Sequence, residues 1–302
     1  MNSTSRGILL MSMSTIAFSA MACFVRMVSS YNVYMTTSIR FIVGITIVIL
    51  LLIPGYLNGS FNNKKALLLR GLFGGAAILI SFISITKLGL VKASVLSNTY
   101  PIFATIFGIV LLKEKISVVK IVAIIAAFAG IFITSVNNAG TNGFAFTIGA
   151  YEVLSVAGAM LGGYAVILVK KLRATETSSS IFLAQCVVGL MIVAVPSFSP
   201  GQVMDVPPAA LIIMIGAGIF ATMGQLFLTE GYHYVTVGTG AVFSMLGPVF
   251  NFMFGFLFFS ETLTRTGAAG AVITLLACAV LILPEKYWSV LGVPAVVVKP
   301  LW

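Results

Sequence analysis

Two ionisable residues sit where charge is expensive. Arg40, in SIRFIVGI, and Glu152, in AYEVLSV, lie eight and nine residues into long apolar stretches. A charge at the centre of a bilayer costs ~3 kcal/mol or more, so such residues pair, line a water-filled cavity or meet cargo. Arginine offers a planar fork of donors that fits a carboxylate, while a glutamate can hold a proton or an ammonium group. The two are expected at similar depth and therefore as an ion pair, either a permanent brace or one opened in turn by a substrate or a proton. Glu230, near His233, is the next acid in line for a proton.

Uncharged polar residues recur at helical spacing within the same kind of stretch. Ser12, Thr15 and Ser19 form one stripe, Ser81 and Ser84 a second, Ser97 and Tyr100 a third. Further along come Thr222, Gln225 and Thr229, then Ser244, Gly247 and Asn251. A Ser/Thr stripe can be simple glue between helices. An amide is more demanding because it needs several partners, which favours Gln225 and Asn251. With Asn98 and Ser155 these residues complete the candidate substrate-binding set. Phe103, Phe107, Phe250 and Phe254 read as packing.

Catalytic chemistry has little to stand on. The chain has one Asp (Asp205), one His (His233), no HExxH and no Gly-Ser-Gly elbow. An intramembrane enzyme needs a nucleophile with its base, paired acids or a metal box. Cys23, Cys186 and Cys278 fall in three different stretches without ligand spacing, so free buried thiols are expected, with no metal and no cofactor. No nucleotide-binding motif is present either.

The elements that must position these residues follow from composition. Of 302 residues 60% are hydrophobic and 8% charged, against roughly 25% charged in a soluble domain. Mean hydropathy is +1.14. A helical span takes about 20 apolar residues, and ten such stretches occur, at 7–28, 33–54, 66–86, 90–112, 117–135, 144–169, 177–197, 208–230, 234–259 and 265–284. Transmembrane strands would alternate over about ten residues, and these runs do not. The first stretch resembles a signal peptide but is read as an uncleaved helix.

The net charge of +10 is topology rather than a nucleic-acid site. With a cytoplasmic N-terminus, twelve Lys and Arg fall on the inner side, Lys64, Lys65 and Arg70 among them, and five on the outer, including Arg26, Lys87 and Lys92. That bias puts both termini in the cytoplasm. The partners implied are a small-molecule substrate and membrane lipid, with no nucleic acid. The outer helices are the surface a homodimer would use.

Sliding the chain by 147 residues lays 93–117 on 240–264 with seven identities, among them Ser97/Ser244, Pro101/Pro248, Phe107/Phe254 and Glu114/Glu261. Residues 1–136 and 144–284 are thus two five-helix repeats, joined by the linker 137–143 and followed by a cytoplasmic tail, 285–302. Five is odd, so the second repeat enters from the opposite side, the inverted arrangement common in secondary transporters. The fold expected is an all-α membrane protein of ten transmembrane helices. Pro101 and Pro248 each deprive a serine carbonyl, at 97 and 244, of its helical donor, predicting a kink that serves as a hinge. Glu114 with Ser117, and Glu261 with Thr264, predict structural caps on the helices that follow.

The Pro-x-Phe…Phe-Gly…Glu-x-[Ile/Leu]-[Ser/Thr] pattern in both halves resembles the drug/metabolite transporter superfamily, in its ten-span EamA-type branch. SIRFIVGI resembles that family's arginine motif, and YHYVTVGTGAVF the segment leading into the ninth span. Phe18 departs from it where many relatives carry tryptophan. The resemblance implies a central cavity walled by spans 1–4 and 6–9, spans 5 and 10 lying outside. It implies a multi-pass protein of the cell membrane (the inner membrane in a Gram-negative bacterium) that moves small metabolites, more often outward. With Arg40 as the one cation read into the cavity, an amino acid or related zwitterionic or weakly charged cargo is expected. Import or exchange of phosphorylated or nucleotide-linked compounds is the alternative; an enzyme or a channel is the reading from another class.

Overall fold

The computed structural model of the chain describes residues 3–112, 118–135, 149–197, 206–235, 246–261 and 264–282. All regular structure among them is helical. The helices are α1 (Ser3–Met27), α2 (Val33–Leu52), α3 (Lys64–Leu88), α4 (Leu90–Ser97), α5 (Tyr100–Leu112) and α6 (Val118–Ser135). The second half adds α7 (Ala150–Leu172), α8 (Ser178–Ser197), α9 (Pro208–Tyr234), α10 (Leu246–Phe259) and α11 (Arg265–Ile282). Six of the described helices, α1, α2, α3, α7, α8 and α9, are long and apolar enough to cross a membrane. At 1.5 Å rise per residue, about 20 residues match a 30 Å hydrocarbon layer.

Local chemistry sets several of the ends. Asn32 caps α2, its side chain accepting from Tyr34 N, and Asn63 caps α3 by accepting from Ala66 N. Pro208 opens α9, where the missing N–H costs nothing. Large apolar side chains face outward along the bundle, Val195 at 84% and Met191 at 72% exposure. A protein in water would bury these; one in lipid has no reason to.

The fourth apolar stretch is not one kinked helix. It breaks after Ser97, and Asn98 and Thr99 form a turn before α5 begins at Tyr100. Thr99 is fully buried, and both its N–H, at 3.2 Å, and its hydroxyl, at 2.6 Å, donate to Leu96 O. Pro101 is the second residue of α5 and Pro248 the third of α10. Pro101 therefore opens a helix, where an N–H has no intrahelical acceptor to lose, while the chain just before Leu246 lies outside the described residues. That corrects the expected mid-helix kink at position 101.

α1 packs on α9, α3 on α7 and α8, α2 on α8 and α9, α5 on α7, α1 on α10, and α6 on α11. Small residues allow the close crossings, as in other membrane bundles. A Cβ at Gly75 of α3 would lie 2.7 Å from Gly189 Cα of α8, and one at Gly71 would meet Ala184 O at 2.7 Å. Hydroxyls tie other pairs: Ser38 and Ser197 meet at 2.6 Å, and Ser14 donates to Gly224 O at 2.7 Å.

Candidate functional site

A cavity of about 280 Å³ lies at the meeting of the two halves. Every described helix except α6 and α11 contributes to its wall. Thr15, Phe18 and Ser19 come from α1, Ser81 and Phe82 from α3, and Ser155 and Gly158 from α7. The break between α4 and α5 faces the start of α10, with Asn98 3.9 Å from the position a Gly247 Cβ would take. The Asn251 amide donates to Ser94 Oγ at 3.0 Å, joining α10 to α4.

Most of the substrate-binding candidates are on this wall. Arg40, Ser97, Asn98, Tyr100, Ser155, Gln225 and Asn251 all line it. Gln225 Nε2 reaches Thr229 Oγ1 at 3.4 Å, one turn along α9. Among the uncharged wall residues, Ser19 Oγ, Ser155 Oγ and Asn251 Oδ1 have no hydrogen-bond partner. Ser244, Glu114 and Ser117 lie outside the described residues, as does the side chain of Cys278. Cys23 and Cys186 are free and buried.

Glu152 is elsewhere. It is off the cavity wall, and its carboxylate accepts from Lys92 Nζ at 2.7 Å with 4% of the side chain exposed. The expected Arg40–Glu152 pair is not formed. The reason lies in the chain path. α3 runs to Leu88, Gly89 turns the backbone at φ +83°, and α4 starts at once. Lys92, read from sequence as a solvated loop residue, is thereby folded into α4, which packs against α7.

The glutamate at 261 also binds across the molecule. Its Oε1 accepts from Arg26 Nε at 2.6 Å and its Oε2 from Val91 N at 3.0 Å. A carboxylate at a helix N-terminus is favourable to the dipole, but the helix is α4 in the other half, not the one that follows. Thr264 does cap the following helix: its Oγ1 accepts from Gly267 N at 3.1 Å, at the start of α11.

Three polar wall residues, Ser94, Arg70 and Gln185, escaped the sequence reading as cavity residues. Arg70 was counted with the inner-loop charges, yet it is 4% exposed within α3 and lines the cavity. Gln185 of α8 lines it too and accepts from Arg70 Nη2 at 2.8 Å. The available signals were a lone amide inside the stretch 177–197 and an arginine one turn inside 66–86. Arg70 also precedes Gly71, Gly74 and Gly75, the face that presses α3 onto α8.

Comparison with known proteins agrees with this architecture. The family model described as "EamA-like transporter family" matches residues 5–136 and again 150–283. The pseudopaline exporter CntI of Pseudomonas aeruginosa is 25% identical over 285 residues, covering 93% of this chain and 97% of its own. Solute carrier family 35 member G1 of Mus musculus is 24% identical over 273 residues, 86% of this chain and 73% of its own. A solved crystal structure superimposes with a TM-score of 0.66 over 91% of this chain and 94% of that one, at 14% identity, a likeness of fold. The chain is a multi-pass membrane transporter, not an enzyme, and it belongs to the EamA-like transporter family.

Proposed function

We propose that the protein is a secondary transporter that exports a small polar metabolite, an amino acid or a related compound, across the cell membrane by alternating access. The observation that carries this is the cavity shared by both halves and edged by a broken helix. Its volume is at the small end for ligand pockets, which suits cargo of amino-acid size.

The packing supports an inverted repeat. In terms of the ten apolar stretches, α4 with α5 is the fourth and α10 the ninth. Exchanging each stretch with the one five places on turns contact 1–8 into 6–3, 2–8 into 7–3 and 1–9 into 6–4, while 2–7 and 5–10 map onto themselves. All of these contacts occur. Two halves related in this way can exchange conformations, giving inward-open and outward-open states around one site. The excess of Lys and Arg on one side supports cytoplasmic termini, and the relative named as an exporter supports outward flow.

Counterflow in proteoliposomes tests the reading. Vesicles loaded with an unlabelled amino acid should accumulate the labelled form several-fold over protein-free vesicles, with no ATP present. Absence of counterflow across a panel of amino acids and small organic acids would sink the transport mechanism proposed.

A further inference from the structure

Arg40 and Arg70 reach the cavity from α2 and α3, at 3% and 4% exposure. On each, Nε and Nη1 lack a hydrogen-bond partner. The described carboxylates are committed elsewhere: Glu152 to Lys92, Glu261 to Arg26, Glu230 to Arg173, and Glu176 to Asn63 N. Neither cavity arginine forms an ion pair with a described carboxylate.

What holds the two guanidiniums orients them without neutralising them. Arg40 lies over the rings of Phe41 and Phe82, at 5.4 and 5.6 Å from their centroids, a contact that gives its Nε and Nη1 no acceptor. Arg70 donates one N–H to the neutral Gln185 amide. Its place exists because position 74 is glycine: a Cβ there would fall on Arg70 Nη1. Both guanidiniums belong to the wall of the same cavity. Two buried like charges without a counter-ion are a standing cost, and an anion between them removes it. Guanidinium donors match carboxylate oxygens in pairs. Across the cavity Asn251 Oδ1 accepts only, and it is unpartnered.

We propose that Arg40 and Arg70 form an anion subsite, and that the cargo is a small dicarboxylate whose two acid groups meet the two guanidiniums. A hydroxyl or ammonium group on that cargo would donate to Asn251. This rests on the transport reading and narrows its substrate class from zwitterion to acid. The reason is Arg70, a second cavity cation that sequence alone had assigned to a loop.

The test compares near-isosteres that differ in charge. L-aspartate, L-asparagine, succinate and inorganic phosphate are titrated into the purified full-length protein, with affinity and melting temperature as readouts. L-aspartate and succinate should each bind at least tenfold more tightly than L-asparagine and than phosphate. Arg40→Gln and Arg70→Gln should erase that preference. Without ligand these variants should melt above the wild type, since each removes an uncompensated charge; a lower melting point would make the arginines structural braces and overturn the subsite. Gly74→Ala keeps both charges but takes the space of one guanidinium, and should weaken L-aspartate several-fold. Equal binding of L-asparagine and L-aspartate, or no response to either dicarboxylate, would overturn the proposal. Tighter binding of phosphate would overturn the dicarboxylate assignment in favour of a phosphate ester. In proteoliposomes, counterflow of L-asparagine but not of L-aspartate would remove the subsite and leave the transporter standing. Tight L-aspartate binding without counterflow of anything would do the reverse.

Discussion

A buried carboxylate persists only with a cation at hand, and Glu152 has Lys92 at 2.7 Å. Removing one partner of such a pair costs more than the pair is worth, because the survivor is left charged in a poor solvent. Lys92→Ala should therefore cost ~3 kcal/mol of stability near neutral pH. The loss should shrink as pH falls, since a proton on Glu152 then does what Lys92 did. Adding Glu152→Gln should recover most of it at any pH. Thermal unfolding of the three variants at two pH values checks this, and a pH-independent loss would mean Lys92 acts through packing alone. Glu261 illustrates the same logic with a further constraint. Its carboxylate fits beside Gly89, where any Cβ would collide with it and where φ is +83°. Arg26, Glu261 and the first turn of α4 are one local unit, although they come from three places in the chain.

Among the elements, the interrupted fourth stretch is the one that the site depends on. α4 ends on the cavity with Ser97, and Asn98 turns the chain toward α5. Because Pro101 stands in the first turn of α5, replacing it removes no clash and frees no acceptor. Pro101→Ala should thus leave folding stability within about 1 kcal/mol. If both prolines mark hinges, Pro101→Ala and Pro248→Ala should slow counterflow several-fold while binding stays within a few-fold. Without proline the helix is freer to continue across that point, while the wall keeps its contacts. Loss of binding in step with flux would instead make the two prolines part of the site.

At the scale of the molecule, eight of the ten apolar stretches enclose the cavity and two do not. α6 and α11 pack on each other, and a Cβ at Gly130 would lie 2.7 Å from Thr274 N and 2.8 Å from Gly270 O. Neither contributes to the wall. In a form without native cysteines, a cysteine at Asn98 or Asn251 should react with a water-soluble maleimide, and the reaction should slow when substrate is present. One at Ile125 of α6 or Leu275 of α11 should not, because those positions face lipid or the α6–α11 seam. Labelling of the second pair alone would reverse the inside and outside of the bundle.

The sequence by itself determined the class of the molecule. Lipid demands continuous apolar helices, so composition and stretch length suffice to read a polytopic membrane protein, and a duplicated Pro…Glu motif suffices to read a repeat. Helical spacing also found about half of the polar residues on the cavity wall, because polar atoms inside a span must be gathered somewhere. What it could not determine was partnership. Counting along the apolar stretches puts Arg40 and Glu152 at similar depth, but α7 begins only at Ala150, so Glu152 is its third residue while Arg40 is the eighth of α2. The rotation and close approach of the helices decide the rest. Glycines at 71, 75 and 189 let α3 press onto α8, and Arg70 beside them lines the cavity. A positive φ at Gly89 starts α4 early enough to give Lys92 to Glu152. Contacts of this kind join residues far apart in the chain, and only the packed bundle decides which charge finds which.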